Sequence, residues 1–394
     1  MTSTFIRSLA LGASLFCLAF SGRQNSFNDP DLTAHEWGTF TSIAGRNGHA
    51  MEWSPLGSTE LPGFVEHLNG AQYKAGLRGS IRMETPVLYF YSSHETAVSV
   101  KVAFSKGVIT EWYPHASHLE PNPETVIDSR ALYRHPHTGE IRWDSVTVSP
   151  NVTAHFPRSA EGDQYYAARE TAAAPLVVRT RSGEEQEKFL FYRGVSTFSS
   201  PLVATITPDG KVHISNSGHD EIPEVILFDR RGEKLGYRFG GAVQSEVSLD
   251  PPELTATVDS FSGDMLDVLT KQGLYPDEAR AMIATWHDSW FEEGSRLFYI
   301  VPRQFLERVL PLEIHPVPAQ TVRVFVGRLE LVTPATRQAI QHILTTHDVV
   351  ALGKYNRFLE PILAEMKEAD PAHAGQIDRD LDLTYRSGWK PEAK

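Results

Sequence analysis

The sequence predicts a mainly β protein of the α+β class: antiparallel, β-sandwich-like sheets with one inserted helix and a C-terminal helical segment. Three observations predict it. Short runs rich in β-branched and aromatic residues recur from Thr33 onward, at 85–91, 97–104, 108–113, 141–148, 176–180, 188–192, 202–207, 225–229 and 322–332. Turn residues stand between them, as in Ser105-Lys-Gly107, His137-Thr-Gly139, Pro208-Asp-Gly210 and Arg231-Gly232. Strands at this spacing favour antiparallel sheets. Helical periodicity, by contrast, is confined to one internal stretch and to the end of the chain.

The chain opens with Arg7 and an uncharged apolar run that ends at Ala19-Phe20-Ser21. A basic residue, a short greasy stretch and small residues at the cleavage positions predict a secretory signal over 1–21, and with it a secreted or periplasmic location. A run of about 13 residues is too short to cross the ~30 Å core of a bilayer as a helix. Cys17, the single cysteine, lies inside this run behind bulky Phe16, which disfavours lipid attachment. The mature chain then has no cysteine, so a large apolar core rather than a disulfide has to stabilise it outside the cytoplasm.

Residues 22–31 are polar and read as a loose leader. A β-rich region over 22–160 follows from the first strand runs, and a second, sandwich-like region over 161–332 from the later ones. The boundary is placed in the stretch 157–172, with Asp250-Pro-Pro252 as a second candidate. The inserted helix covers 276–293. Pro276 opens it where a missing N–H costs nothing, acids follow, and Ala279, Met282, Ile283, Trp286 and Trp290 form one stripe. Gly294 closes it. Over 333–394, Thr333-Pro334 is a cap followed by a first-turn proline, and Asp348 caps a further helix that Pro361 has to kink or split.

Hydrophobic residues make up 41% and charged residues 22%, which is ordinary globular usage rather than that of a disordered chain. The formal net charge is -12, and no Lys/Arg cluster offers a surface for phosphate backbones, so nucleic acid is excluded as a partner class. No nucleophile elbow, phosphate loop, His-Glu-x-x-His or dinucleotide glycine pattern is present. Chemistry therefore has to rest on weaker groupings.

The first is His35-Glu36-Trp37, whose neighbours point to opposite faces if the segment is extended. The second is Glu111-Trp-Tyr113-Pro-His115-Ala-Ser-His118, in which Glu111, Tyr113 and His115 share a strand face. With His135 and His137 it holds four of the chain's 16 histidines, and His115, His118, His135 and His137 are the candidate ligands of a divalent metal. The third is Arg82-Met-Glu84, one face again, read either as an ion pair or as one half of a carboxylate pair with Glu111 of the kind glycoside cleavage uses. On the inserted helix, His287 and Asp288 turn away from the tryptophan stripe. Tyr192 and Arg193 stand where a core strand meets Gly194. These groupings lead to two expectations. One is an exported hydrolase of an extracellular polymer such as a glycan, with Glu84, Glu111, Tyr113 and His35 as catalytic groups and a divalent metal as helper. The other is a non-catalytic β-sandwich binding or assembly protein of the cell envelope.

Overall fold

A computed structural model describes residues 28–54, 61–68, 77–122, 138–160, 163–181 and 183–388. The expected signal over 1–21 and the imidazoles of His135 and His137 lie outside them. The fold is mainly β with helices, as the periodicities require.

Numbered along the chain, a central nine-stranded sheet takes β1 (Asn28–Ile43), β2 (Glu66–His67), β3 (Ile81–Tyr91), β5 (Gly107–Tyr113), β10 (Leu190–Ser196), β13 (Ile222–Arg231), β14 (Lys234–Val243), β16 (Gly294–Ile300) and β18 (Val317–Leu331). Their spatial order is β14-β13-β16-β18-β1-β3-β10-β5-β2. A second sheet joins β17 (Leu312–His315), β4 (Thr96–Phe104), β7 (Gly139–Val148), β8 (Leu176–Thr180) and β9 (Gly183–Glu187), with β6 (His118–Glu120) beside β7. A three-stranded sheet is formed by β11 (Leu202–Ile206), β12 (Val212–Asn216) and β15 (Glu246–Leu249). Strands from both sides of residue 160 are thus hydrogen-bonded into one sheet. Its ladders are antiparallel except for β1 against β18, which run parallel. A parallel pair needs a long return path, and here nearly the whole chain separates the two strands.

Both faces of the central sheet are covered, so its middle strands are buried over long runs; Ile81–Phe90 of β3 is buried without a break. One face meets the second sheet through Leu88, Phe90 and Tyr192 against Val100, Val102, Ile141 and Trp143. The other meets α1 (Asp163–Ala167), α2 (Val258–Lys271) and α3 (Pro276–Trp290), with Trp37, Val87 and Phe298 against Phe261, Met282 and Trp290. A third apolar cluster gathers Ile43 and Trp53 under the C-terminal helices, where Trp53 stacks on Phe358.

Two elements differ from the sequence expectation. Residues 28–31 belong to β1 rather than to a loose leader, because β18 and the bonds of Asp29 and Asp31 hold them in place. Two long helices, not one, are inserted. The start of α2 is a capping box, Thr257 accepting from the Ser260 N–H while the Ser260 hydroxyl accepts from the Thr257 N–H, a signal present in the sequence but not used. A shorter helix, α4 (Arg303–Val309), follows β16.

The end of the chain follows its caps. Thr333 accepts from the Thr336 N–H at 3.1 Å and starts α5 (Pro334–Thr346), and Asp348 accepts from the Val350 and Ala351 N–H groups to start α6 (Val349–Gly353). A short turn at Asn356–Phe358 then separates α6 from α7 (Leu359–Ala369), so Pro361 falls in a first turn, where it is tolerated, and α8 (Ala374–Gly388) follows. Replacing Thr333 with Ala is expected to destabilise the fold by about 1–2 kcal/mol. A urea-unfolding midpoint measures it, and Thr333→Ser, which keeps the acceptor, is expected to lose far less.

Candidate functional site

The regular ladders of β1, β3, β10 and β5 break at one level. The register shifts between Trp37 and Thr39, between Phe191 and Gly194, and between Arg193 and Gly194. At the same level Thr85 adopts a left-handed backbone with φ of 47°, costly for a β-branched residue and followed directly by Pro86. Bulges re-aim side chains. A Cβ at Gly194 would stand 2.6 Å from the Val108 carbonyl oxygen, so glycine is what lets β10 cross here.

Below this irregularity the sheet carries charge. Arg82 and Glu84 share a face of β3, and across β10 Arg193 pairs in register with Glu111 of β5. Arg357, from the turn after α6, reaches down to Glu84: Nη1 donates to Oε1 at 2.5 Å and Nη2 to Oε2 at 3.3 Å. Arg82 Nε lies 3.4 Å from Glu84 Oε1. Burial works against ionisation of Glu84, but Arg357, Arg82 and Arg193 outweigh it and hold its carboxyl down at about 2. Arg82 is pushed down to about 10, chiefly by burial, with Glu84 opposing.

A second buried group continues the first along the sheet. Arg296 of β16 and Arg328 of β18 are both fully buried and both donate to Glu330. Arg328 also donates to Glu292 Oε1 at 2.5 Å and to the Ser289 hydroxyl at 2.7 Å. Ser289 connects the two groups, since Arg357 Nη2 lies 3.4 Å from the same hydroxyl. Arg328 and Arg357 both lie over the Phe358 ring, at 4.6 and 4.9 Å from its centroid.

The first ionic group floors a cleft of about 430 Å3. Tyr165, Phe191 and Trp286 supply aromatic walls, and Gln164, Thr285 and Asn356 supply polar ones. Asn356, like Thr85, is left-handed, with φ of 43°. Two of the non-glycine residues in that conformation therefore border one cleft. Arg193 donates to Thr85 Oγ1 at 3.3 Å and lies over the Phe191 ring at 5.5 Å.

The residues singled out in the sequence do not converge on one point. Glu84 lines the cleft, and Glu111 lies beyond Arg193 in the same charged layer, where Thr110 Oγ1 donates to it at 2.5 Å. Tyr113 packs on Phe64, with burial raising its phenol. His115 leaves the strand, its Nδ1 2.6 Å from Glu66 and its N–H donating to Glu185. His115 and His118 border a separate groove of about 640 Å3 beside His67. Among the described residues no three His, Cys, Asp or Glu side chains are grouped to hold a metal ion. His115 and His118 were expected to bind a metal together with His135 and His137, and those two lie outside the described residues.

His35 and Glu36 do face opposite ways. His35 is sealed under α3, with Nδ1 2.8 Å from Glu278 and its ring tilted against Tyr275 at 4.4 Å between centroids; Tyr91 donates to the same carboxylate at 2.7 Å. Glu36 is sealed on the other face between Tyr192 and Arg323. Tyr192 is therefore remote from the cleft while its neighbour Arg193 lines it. His287 and Asp288 are exposed beside the buried tryptophans, as the helical spacing requires.

The sequence reading missed Arg357, Arg328, Arg296 and Glu330. For Arg296, Arg328 and Glu330 a usable signal existed: charged residues inside buried strands have to be paired. No protein-family model matches the chain, and no curated protein matches it. Among solved structures, it is similar to the yeast delta-COP-I mu-homology domain complexed with a Dsl1 WxWxV peptide. That similarity has 8% identity and a TM-score of 0.22 over 76% of this chain and 96% of the other. At that score the likeness carries no argument about fold or function.

Proposed function

We propose that the chain is an exported protein that binds a polyhydroxylated ligand, a segment of glycan, in the cleft between β3, β10, α3 and the Asn356–Phe358 turn, and that it binds rather than cleaves. The observation that carries this reading is the pairing of left-handed Thr85 and Asn356 on the rim of one cleft floored by arginines. Strained backbone persists where the surrounding structure over-determines it, and it collects at ligand sites. Aromatic walls with interspersed amide, hydroxyl and guanidinium groups suit a sugar, which offers apolar ring faces and hydroxyls together.

Two-carboxylate hydrolysis needs one carboxyl that is still protonated near neutrality. Glu84, held at about 2, is ionised there and cannot donate a proton. Its bonds to Arg357 and Arg82 make it an anchor for the cleft floor instead.

Calorimetric titration of the purified full chain against an array of glycan oligosaccharides, run beside an assay for released reducing ends, tests the proposal. Binding without turnover is the expected outcome. Turnover that disappears in Glu111→Gln would replace binding by hydrolysis, and the absence of binding to any oligosaccharide would remove the reading altogether. Trp286→Phe keeps an aromatic ring but loses the indole N–H together with its second ring; it is expected to weaken binding about tenfold and, as a buried large-to-small change, to cost about 1–2 kcal/mol of stability.

A further inference from the structure

We infer that a second cavity, which shares no lining residue with the cleft, binds a small organic ammonium ion, and that Asp229 receives its nitrogen. The inference stands apart from the reading of the cleft. The cavity lies where the β11–β12 turn, the link after β15, strands β13 and β16 and the start of α5 meet. Its volume is about 230 Å3. An apolar cavity of ~150 Å3 takes up benzene, so there is room here for a substituted ring.

The walls are Pro208, Pro251, Pro252 and Pro334, with Val212 and Leu227. Proline fixes its own backbone and carries no N–H, so these walls are stiff and bring no donor. They suit an apolar body and offer little to a ligand rich in hydroxyls. Binding pockets of this kind set orientation with one or a few polar groups.

Here that group is Asp229. Its side chain is 18% exposed, so the carboxylate is within reach of a ligand rather than sealed. Arg231 Nη2 stands 3.3 Å from Oδ1, and the Ser295 hydroxyl also supports the carboxylate. The same Nη2 donates to Ser295 Oγ at 2.8 Å and to the Thr333 and Thr336 hydroxyls at 3.3 Å, so its charge is divided among several acceptors. A carboxylate accepts at about four positions, and those two neighbours leave some of them to a ligand. Burial pushes the Asp229 carboxyl up, with Arg231 opposing it incompletely. An ammonium group in the cavity supplies the countercharge that Arg231 does not.

The surrounding charges favour the same sign. Asp209 stands on the rim, while Lys211 is taken up by Asp250 at 3.1 Å. The chain as a whole carries -12, which draws cations. The start of α5 would favour an anion instead, but Pro334 has no N–H there and Thr333 already accepts from the Thr336 N–H.

Calorimetric titration of the full chain at neutral pH with benzylamine, and with benzyl alcohol as its neutral counterpart, tests the assignment. Benzylamine is expected to bind on the order of tenfold more tightly, as a charge-assisted bond requires. Asp229→Asn is expected to abolish that preference and Asp229→Glu to retain it. Ala335→Phe, which fills the cavity from an exposed helix position, is expected to abolish binding of both probes and locates the site independently of Asp229. Circular dichroism confirms that each variant is folded. Equal affinity for the two probes, a preference that survives Asp229→Asn, binding indifferent to Ala335→Phe, or no binding of either probe overturns the inference.

Discussion

Glu84→Ala is expected to lower the unfolding free energy by about 3–5 kcal/mol, because it leaves two guanidinium groups in a buried layer without their shared carboxylate. Arg82 is 8% exposed at its side chain and Arg357 16%, so water cannot readily replace what is lost. Urea unfolding of the variant measures the loss. A change under about 1 kcal/mol would show that Glu84 is not the anchor of the cleft floor.

The same carboxylate makes acid stability predictable. Free in the unfolded chain the carboxyl titrates near 4.5, and in the fold it titrates at about 2. The folded state holds the proton less tightly, so the stabilisation is complete above about 4.5 and fades as pH falls toward about 2. That gap corresponds to ~3 kcal/mol. Urea midpoints measured at intervals from pH 5 to pH 2.5 are expected to fall for the natural chain. The fall is expected to be shallower by most of that amount in Glu84→Gln, which has no proton to gain there.

Gly327→Ala is expected to cost about 3 kcal/mol, at the upper end for an overpacked core site. Gly327 on β18 faces Tyr299 on β16 directly, and an added Cβ would stand 2.0 Å from Tyr299 Cζ. The ring has no easy retreat. Tyr299 is 3% exposed and its hydroxyl lies 3.0 Å from Ser200 Oγ, while Arg328 and Glu330 follow on the same strand. A double-mutant cycle checks the cause: in a Tyr299→Ala background the Gly327→Ala penalty is expected to shrink to less than half. Equal penalties in the two backgrounds would mean that the ring is not what excludes the methyl group.

Much of the architecture is visible from short-range pattern. The run at 176–180 is a strand from end to end, Thr333 and Asp348 cap the helices they were expected to cap, and Trp286 and Trp290 lie on a buried stripe with His287 outside it. Arg82 and Glu84 also pair as their two-residue spacing suggests. The partner that dominates Glu84, however, is Arg357, 273 positions away on a turn with no pattern of its own. Glu36 likewise finds Arg323 only because β1 and β18 lie parallel and side by side.

By itself, then, the sequence determined many of the strands, the caps at Thr333 and Asp348, the inward stripe of α3 and the opposite orientation of His35 and Glu36. Each of these depends on backbone periodicity or on a hydrogen bond within one turn. The tertiary structure alone decided which charges share a cleft. Strand order and the aligned bulges choose neighbours across hundreds of residues, and a buried charge is tolerable only beside whichever partner that order brings to it.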